Sequence, residues 1–155
     1  MTAARPRATA VIERVVDGHR IRFDAETSRR MAGVRQRDTK PELLVRRALS
    51  AKSIRFRIKN RDLPGSPDIA NRARGWVVFV HGCYWHRHPG CHRTTTPKRN
   101  AAFWRAKFDA NVARDARSRR ALRRLGFRVV TIWECETKQP ERLARRIGRL
   151  TVPSS

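Results

Sequence analysis

The run Trp76-Val77-Val78-Phe79-Val80 constrains this chain more than any other stretch. It carries no polar side chain to turn toward water, so a strand built from it must be covered on both faces. Gly75 opens it, and its length suits a central strand of a sheet flanked by helices. Directly after it comes His81-Gly82-Cys83-Tyr84-Trp85-His86-Arg87-His88-Pro89-Gly90-Cys91, an irregular stretch dense in metal-binding side chains and aromatics.

The surrounding pattern extends this to a small α/β domain with a mixed central sheet. Thr39-Lys40-Pro41-Glu42 reads as a capping box with Pro in the first turn. It opens a helix expected to reach about Ser53, with Leu43, Leu44, Ala48 and Leu49 inward. Ile54, Phe56 and Ile58 alternate with Arg55, Arg57 and Lys59, the signature of a strand with one polar face. Residues 62–67 should turn, and Asp68 should open a short strand. A helix is expected from Asn100 to about Leu125, continuous or broken near Ala113, with Phe103, Phe108, Val112, Leu122 and Leu125 inside and Gly126 ending it. Phe127 to Trp133 reads as a second buried strand, which assigns Trp76 and Trp133 to the core. Pro140 to Leu150 reads as an amphipathic helix.

Residues 28–150 thus form the expected domain, with 151–155 as a tail. Residues 1–27 read as an N-terminal extension, either disordered or folded as a hairpin, since Asp17-Gly18 separates two β-prone runs.

The chain of 155 residues holds 37 Lys+Arg against 13 Asp+Glu, a net charge of +24. Arg dominates, and its planar fork matches phosphate, so nucleic acid is the leading partner. A solvated basic surface is the plainer alternative. Cations near residues 29–40, 87–99 and 114–124 are expected on phosphates. No apolar run approaches membrane-spanning length, so the chain is expected in the cytoplasm, where thiols stay reduced.

Three cysteines cannot all pair internally, and metal ligation is the better reading. Cys83, His88 and Cys91, closed by the distant Cys135, make a Cys₃His set suited to a structural zinc. His86 and His92 are rival nitrogen ligands, and three buried free thiols the competing interpretation. Asp68, at a strand start, suits Mg²⁺, which takes oxygen ligands, or merely stabilises a turn. His86 is a candidate acid or base near neutral pH.

Four segments then carry a resemblance: Leu63-Pro64-Gly65-Ser66-Pro67-Asp68, Phe79 to His86, Asn111-Val112-Ala113-Arg114-Asp115 and Trp133-Glu134-Cys135. In this order they resemble the motifs of the very short patch repair endonucleases, over roughly residues 28–150. The resemblance implies a restriction-endonuclease-like fold related to the PD-(D/E)xK nucleases, a structural Zn²⁺ and a catalytic Mg²⁺. It implies nicking 5′ to the T of T:G mismatches left by deamination of 5-methylcytosine. Asp68 then matches the metal-binding carboxylate and His86 the catalytic histidine. Val80 matches a backbone-carbonyl ligand of Mg²⁺; the family's best-known member has Thr there. Glu42, His81 and Asp115 match supporting groups, and Cys83, His88, Cys91 and Cys135 the zinc ligands, with a loop one residue longer at Pro89-Gly90. The strand ending at Val80 lacks the usual E-x-K half-motif, as this branch does. Met31, Val34, Tyr84 (in place of a more usual Phe), Trp85 and Trp104 match side chains that enter the mismatched step. The implied partners are double-stranded DNA and a cytosine-5 methyltransferase whose site generates the mismatches. One mismatch has no two-fold symmetry, so a monomer is expected. The competing functions are a non-catalytic zinc-stabilised DNA-binding module and a restriction-type nuclease cutting matched duplex.

Overall fold

The computed structural model describes residues 10–152; residues 1–9 of the extension and 153–155 of the tail lie outside it. Among the described residues, the all-apolar run becomes β4 (Trp76–His81), the middle strand of a three-stranded sheet. β3 (Ile69–Asn71) pairs with it antiparallel and β5 (Arg128–Trp133) parallel, so the sheet is mixed. The parallel neighbours are joined by the long α3 (Ala101–Arg124).

Alternation along β4 serves two cores. Trp76 and Val78 face Val45 and Leu49 of α2 (Lys40–Ala51) and Leu143, Ile147 and Leu150 of α5 (Pro140–Thr151). Val77 and Phe79 turn the other way, onto Leu63 and Leu122. Trp76 is 1% exposed, as a strand buried on both sides requires.

A second, two-stranded sheet precedes these elements. β1 (Val11–Val16) and β2 (His19–Asp24) pair antiparallel across Asp17-Gly18, whose φ angles are +50° and +75°. Left-handed backbone at both positions gives a two-residue turn the twist a hairpin needs. Asp24 caps α1 (Ala25–Ala32) by accepting from Thr27 N at 2.5 Å, so α1 runs straight across the expected boundary at residue 27. Ile21 is buried with Phe103, Trp104 and Phe108 in a third cluster.

Four local expectations need correction. Residues 54–58 form no strand: Arg57 alone bridges to Ala70, its N–H donating to Ala70 O at 2.8 Å. Ile54 and Phe56 still pack on the core, but Ile58 is exposed. In α2 the inward stripe is Glu42, Val45 and Leu49, which turns Leu43 to solvent. In α3, which is unbroken, the inward stripe runs through Trp104, Phe108 and Leu122 and carries Asn111 and Asp115 toward the site. Val112 lies beside that stripe and Leu125 past the end of the helix, 61% exposed. Finally, Trp133 is only half-buried, for the reason given below.

No described helix is long and apolar enough to cross a membrane.

Candidate metal and catalytic centre

The strand end of β4 delivers two neighbouring constellations. The first is the Cys/His cluster. Cys83, His88, Cys91 and Cys135 each offer a ligand atom, all within 4.8 Å of one another. Cys83 Sγ lies 3.6 Å and Cys135 Sγ 3.4 Å from His88 Nδ1. His92 is exposed and takes no part in the group, and His86 belongs to the second constellation. The loop is wound by short-range bonds: His86 N donates to Gly82 O at 3.1 Å and His88 N to Cys83 O at 3.0 Å. Thr94 Oγ1 ties the turn further by donating to His88 O at 2.9 Å. Gly90, at φ +70°, supplies the left-handed residue in the turn between His88 and Cys91.

Cys135 arrives on α4 (Glu134–Thr137), immediately after β5. Trp133, the last residue of β5, stacks on His88 with ring centroids 4.3 Å apart and planes 9° from parallel. This is why Trp133 sits at the site and not in the core. Burial pushes the Cys83 thiol up to about 12; the backbone N–H of Cys135 opposes the rise, and the thiols of Cys135 and Cys91 add to it. Burial also holds His88 below the ordinary imidazole value, leaving it neutral and fit to ligate. Three crowded thiols and a neutral imidazole converging on one point form a donor set that fits a thiophilic cation.

The second constellation is His81, His86 and Asp115, also within 4.8 Å. His86 Nδ1 pairs with Asp115 Oδ2 at 2.7 Å. The rings of His81 and His86 stack at 3.8 Å. His81 is 4% exposed, and its Nδ1 finds no hydrogen-bond partner. Burial, with the neighbouring charge of His86, drives His81 down to about 3, so it stays neutral. For Asp115, burial opposes ionisation. The hydrogen bond from His86 and the neighbouring charges of His86 and Arg119 outweigh it, and its pKa falls below the usual carboxylate value.

Asp68 faces the same strand. Its Oδ2 accepts from Val80 N at 2.7 Å. Burial raises its pKa to about 6; the Val80 bond opposes that, Glu42 adds to it, and His86 and Arg46 lower it. All of these groups therefore act on one carboxyl. Glu42 is 5% exposed and accepts from Thr39 Oγ1 at 2.9 Å, Asp38 N at 3.0 Å and Arg46 Nη2 at 3.2 Å. The approach of Asp68 depends on Gly65. At φ +72°, a Cβ there would stand 2.5 Å from Ser118 Cβ, so the turn can press against α3 only with glycine.

Met31, Val34, Tyr84, Trp85 and Trp104 all line one groove of about 360 Å³. Trp104 is nonetheless 6% exposed and leans on Phe108 at 5.9 Å, so it is as much core as surface. Three residues take supporting roles not read from the sequence: Arg87 is expected there on phosphate, Asn111 stands only within a motif, and Asn60 is given no part. Arg87, at φ +54°, lies over the Phe108 ring at 4.3 Å and donates to Thr95 O at 2.8 Å. Asn111 Nδ2 donates to Trp85 O at 3.2 Å. Asn60, almost fully buried, donates to Arg57 O and Pro67 O, stitching the turn that ends at Asp68. An Asn inside a helix, at position 111, was the one readable signal among them.

A half-buried carboxyl, a His–Asp pair and a Cys/His cluster lie together around the end of β4 in a highly basic α/β domain, a set that suits a hydrolase acting on DNA. The family model described as DNA mismatch endonuclease Vsr matches residues 21–93, and the chain belongs to that family. Among its relatives, the type II nicking enzyme V.XorIIP of Xanthomonas oryzae pv. oryzae is 43% identical over 80% of this chain and 90% of its own length. The nicking enzyme V.NmeAIP of Neisseria meningitidis is 38% identical over 77% of this chain and 85% of its own. The DNA mismatch endonuclease Vsr of Escherichia coli is 36% identical over 77% of this chain and 76% of its own.

Proposed function

We propose that this endonuclease nicks duplex DNA 5′ to the T of a T:G mismatch, on a restriction-endonuclease-like scaffold held by a structural zinc. Cys83, His88, Cys91 and Cys135 would take Zn²⁺, whose preference for thiolate and imidazole in a closed tetrahedron suits the set. Asp68 and the carbonyl of Val80 would hold Mg²⁺, with Glu42 and His81 in support. When bound, Mg²⁺ supplies neutralisation of the phosphate and of the leaving oxygen.

The protein's own residues do the rest. Asp115 fixes His86 through Nδ1, leaving Nε2 to take a proton from the attacking water. His81 stacks on that ring and limits its rotation. The water oxygen bonds to phosphorus, the P–O3′ bond breaks, and a 3′-hydroxyl and a 5′-phosphate result. Tyr84, Trp85 and Trp104, with Met31 and Val34, would enter the weakly stacked step. The enzyme would act as a monomer in the cytoplasm, on lesions arising at the sites of a cytosine-5 methyltransferase.

The observation that carries this reading is the His86–Asp115 pair at 2.7 Å just past the strand to which Asp68 is tied, its Oδ2 accepting from Val80 N at 2.7 Å. The test is nicking of T:G and matched duplexes with and without Mg²⁺, alongside Asp68→Ala. The mutant should bind but not cut. Cutting of matched DNA would favour a restriction-type enzyme, and equal cleavage by Asp68→Ala would remove that residue from the mechanism.

A further inference from the structure

We infer that the β1–β2 hairpin is a DNA-binding jaw, forming a wall of the aromatic groove against the duplex at the mismatched step. This rests on the mismatch-nicking reading above and extends it to a segment that reading does not use.

The hairpin is docked, not dangling. Ile21 is buried among Phe103, Trp104 and Phe108 at the start of α3. Asn100, in left-handed backbone at φ +57°, meets the main chain of Arg22 twice. Its Nδ2 donates to Arg22 O at 2.9 Å, and its Oδ1 accepts from Arg22 N at 3.4 Å. The side-chain amide thus stands where a neighbouring strand would stand and latches β2 to the helix that carries Trp104. At the other end of β2, Asp24 caps α1, which carries Met31. Hairpin, α1 and the head of α3 form one unit.

That unit walls the groove. Arg22, Phe23 and Asp24 line it together with Met31, Val34, Tyr84, Trp85 and Trp104. Three guanidinium-bearing residues, Arg22, Arg30 and Arg99, stand along the same groove. Glu13 lies 3.4 Å from Arg22 Nε, and the Asp24 carboxylate is engaged by Thr27 N. Aromatic faces with cations at their margin match a nucleobase and its flanking phosphates, so the occupant is duplex DNA and not a peptide segment.

Two variants test it. Asn100→Ala removes the latch, while Arg22→Glu keeps every backbone bond of the hairpin and reverses one charge at the groove. With the full chain, affinity for T:G duplex should fall by about tenfold in each. Amide exchange across residues 11–24 should slow when duplex is added. Unchanged affinity in both variants, or no added protection in the hairpin, would overturn the inference, as would protection by a peptide but not by duplex. A parent enzyme that binds T:G duplex through the hairpin yet does not nick it would instead overturn the mismatch-nicking reading alone.

Discussion

His81 and His86 share one stack but have different surroundings, and the difference assigns their tasks. His81 is sealed in and neutral; His86 is partly open and tied to a carboxylate. Asp115→Asn would keep the shape of that pair but release the tautomer in which Nδ1 carries the proton. Nicking at pH 7.5 should fall by about 10²-fold or more with duplex affinity within about twofold, read by single-turnover kinetics and anisotropy. Asp68 makes a pH prediction. Its folded pKa of about 6 lies above the ordinary 3.8, so the folded chain holds that proton more tightly than the unfolded chain does. The stability it contributes is fully present below about pH 4 and is lost as pH rises toward 6. A divalent cation favours the ionised form and must displace the proton at lower pH. Mg²⁺ affinity should therefore drop about tenfold per pH unit below about pH 6, and calorimetric titrations at several pH values should show the drop vanish in Asp68→Asn.

Between elements, the turn at Gly65 lies close against α3, leaving no room for a Cβ beside Ser118. Gly65→Ala would combine left-handed strain with a clash at Ser118, and should cost about 2–3 kcal/mol by urea denaturation. Adding Ser118→Gly should restore the steric share only. A second prediction concerns the Cys/His cluster. With zinc in the cluster as proposed, chelation or Cys135→Ser should lower Tm by more than about 5 °C, with lost amide protection centred on residues 82–97. Metal analysis should find one zinc per chain. These elements differ in how openly the sequence announced them. β4 was legible because an unbroken apolar run admits few alternatives, β5 because β-branched and aromatic residues dominate it, and the Cys/His group because three of its four ligands crowd one loop. Residues 54–58 alternate like a strand, but pairing depends on a neighbour in register, and only Arg57 has one. Val112 and Leu43 misled because apolar character does not fix helix phase when Asn111, Asp115 and Glu42 are the polar residues turned inward. Trp133 misled because an aromatic ring can stack on a ligand as readily as fill a core.

At the scale of the whole molecule, the charge of +24 implies binding dominated by phosphate contacts. The logarithm of affinity for any duplex should fall linearly with the logarithm of salt, by about 0.9 for each phosphate neutralised. Arg22→Glu should flatten that slope by about one or more, measured by anisotropy across a salt series. The Cys/His cluster also bears on how the molecule comes together. His88 and Cys135 are 47 residues apart, and α3 lies between them. A cation can gather its full set only after that crossover has docked and β5 has slotted beside β4. With zinc in the cluster as proposed, uptake would mark the end of assembly, and a chain halted before it would leave residues 82–97 slack and open to proteases.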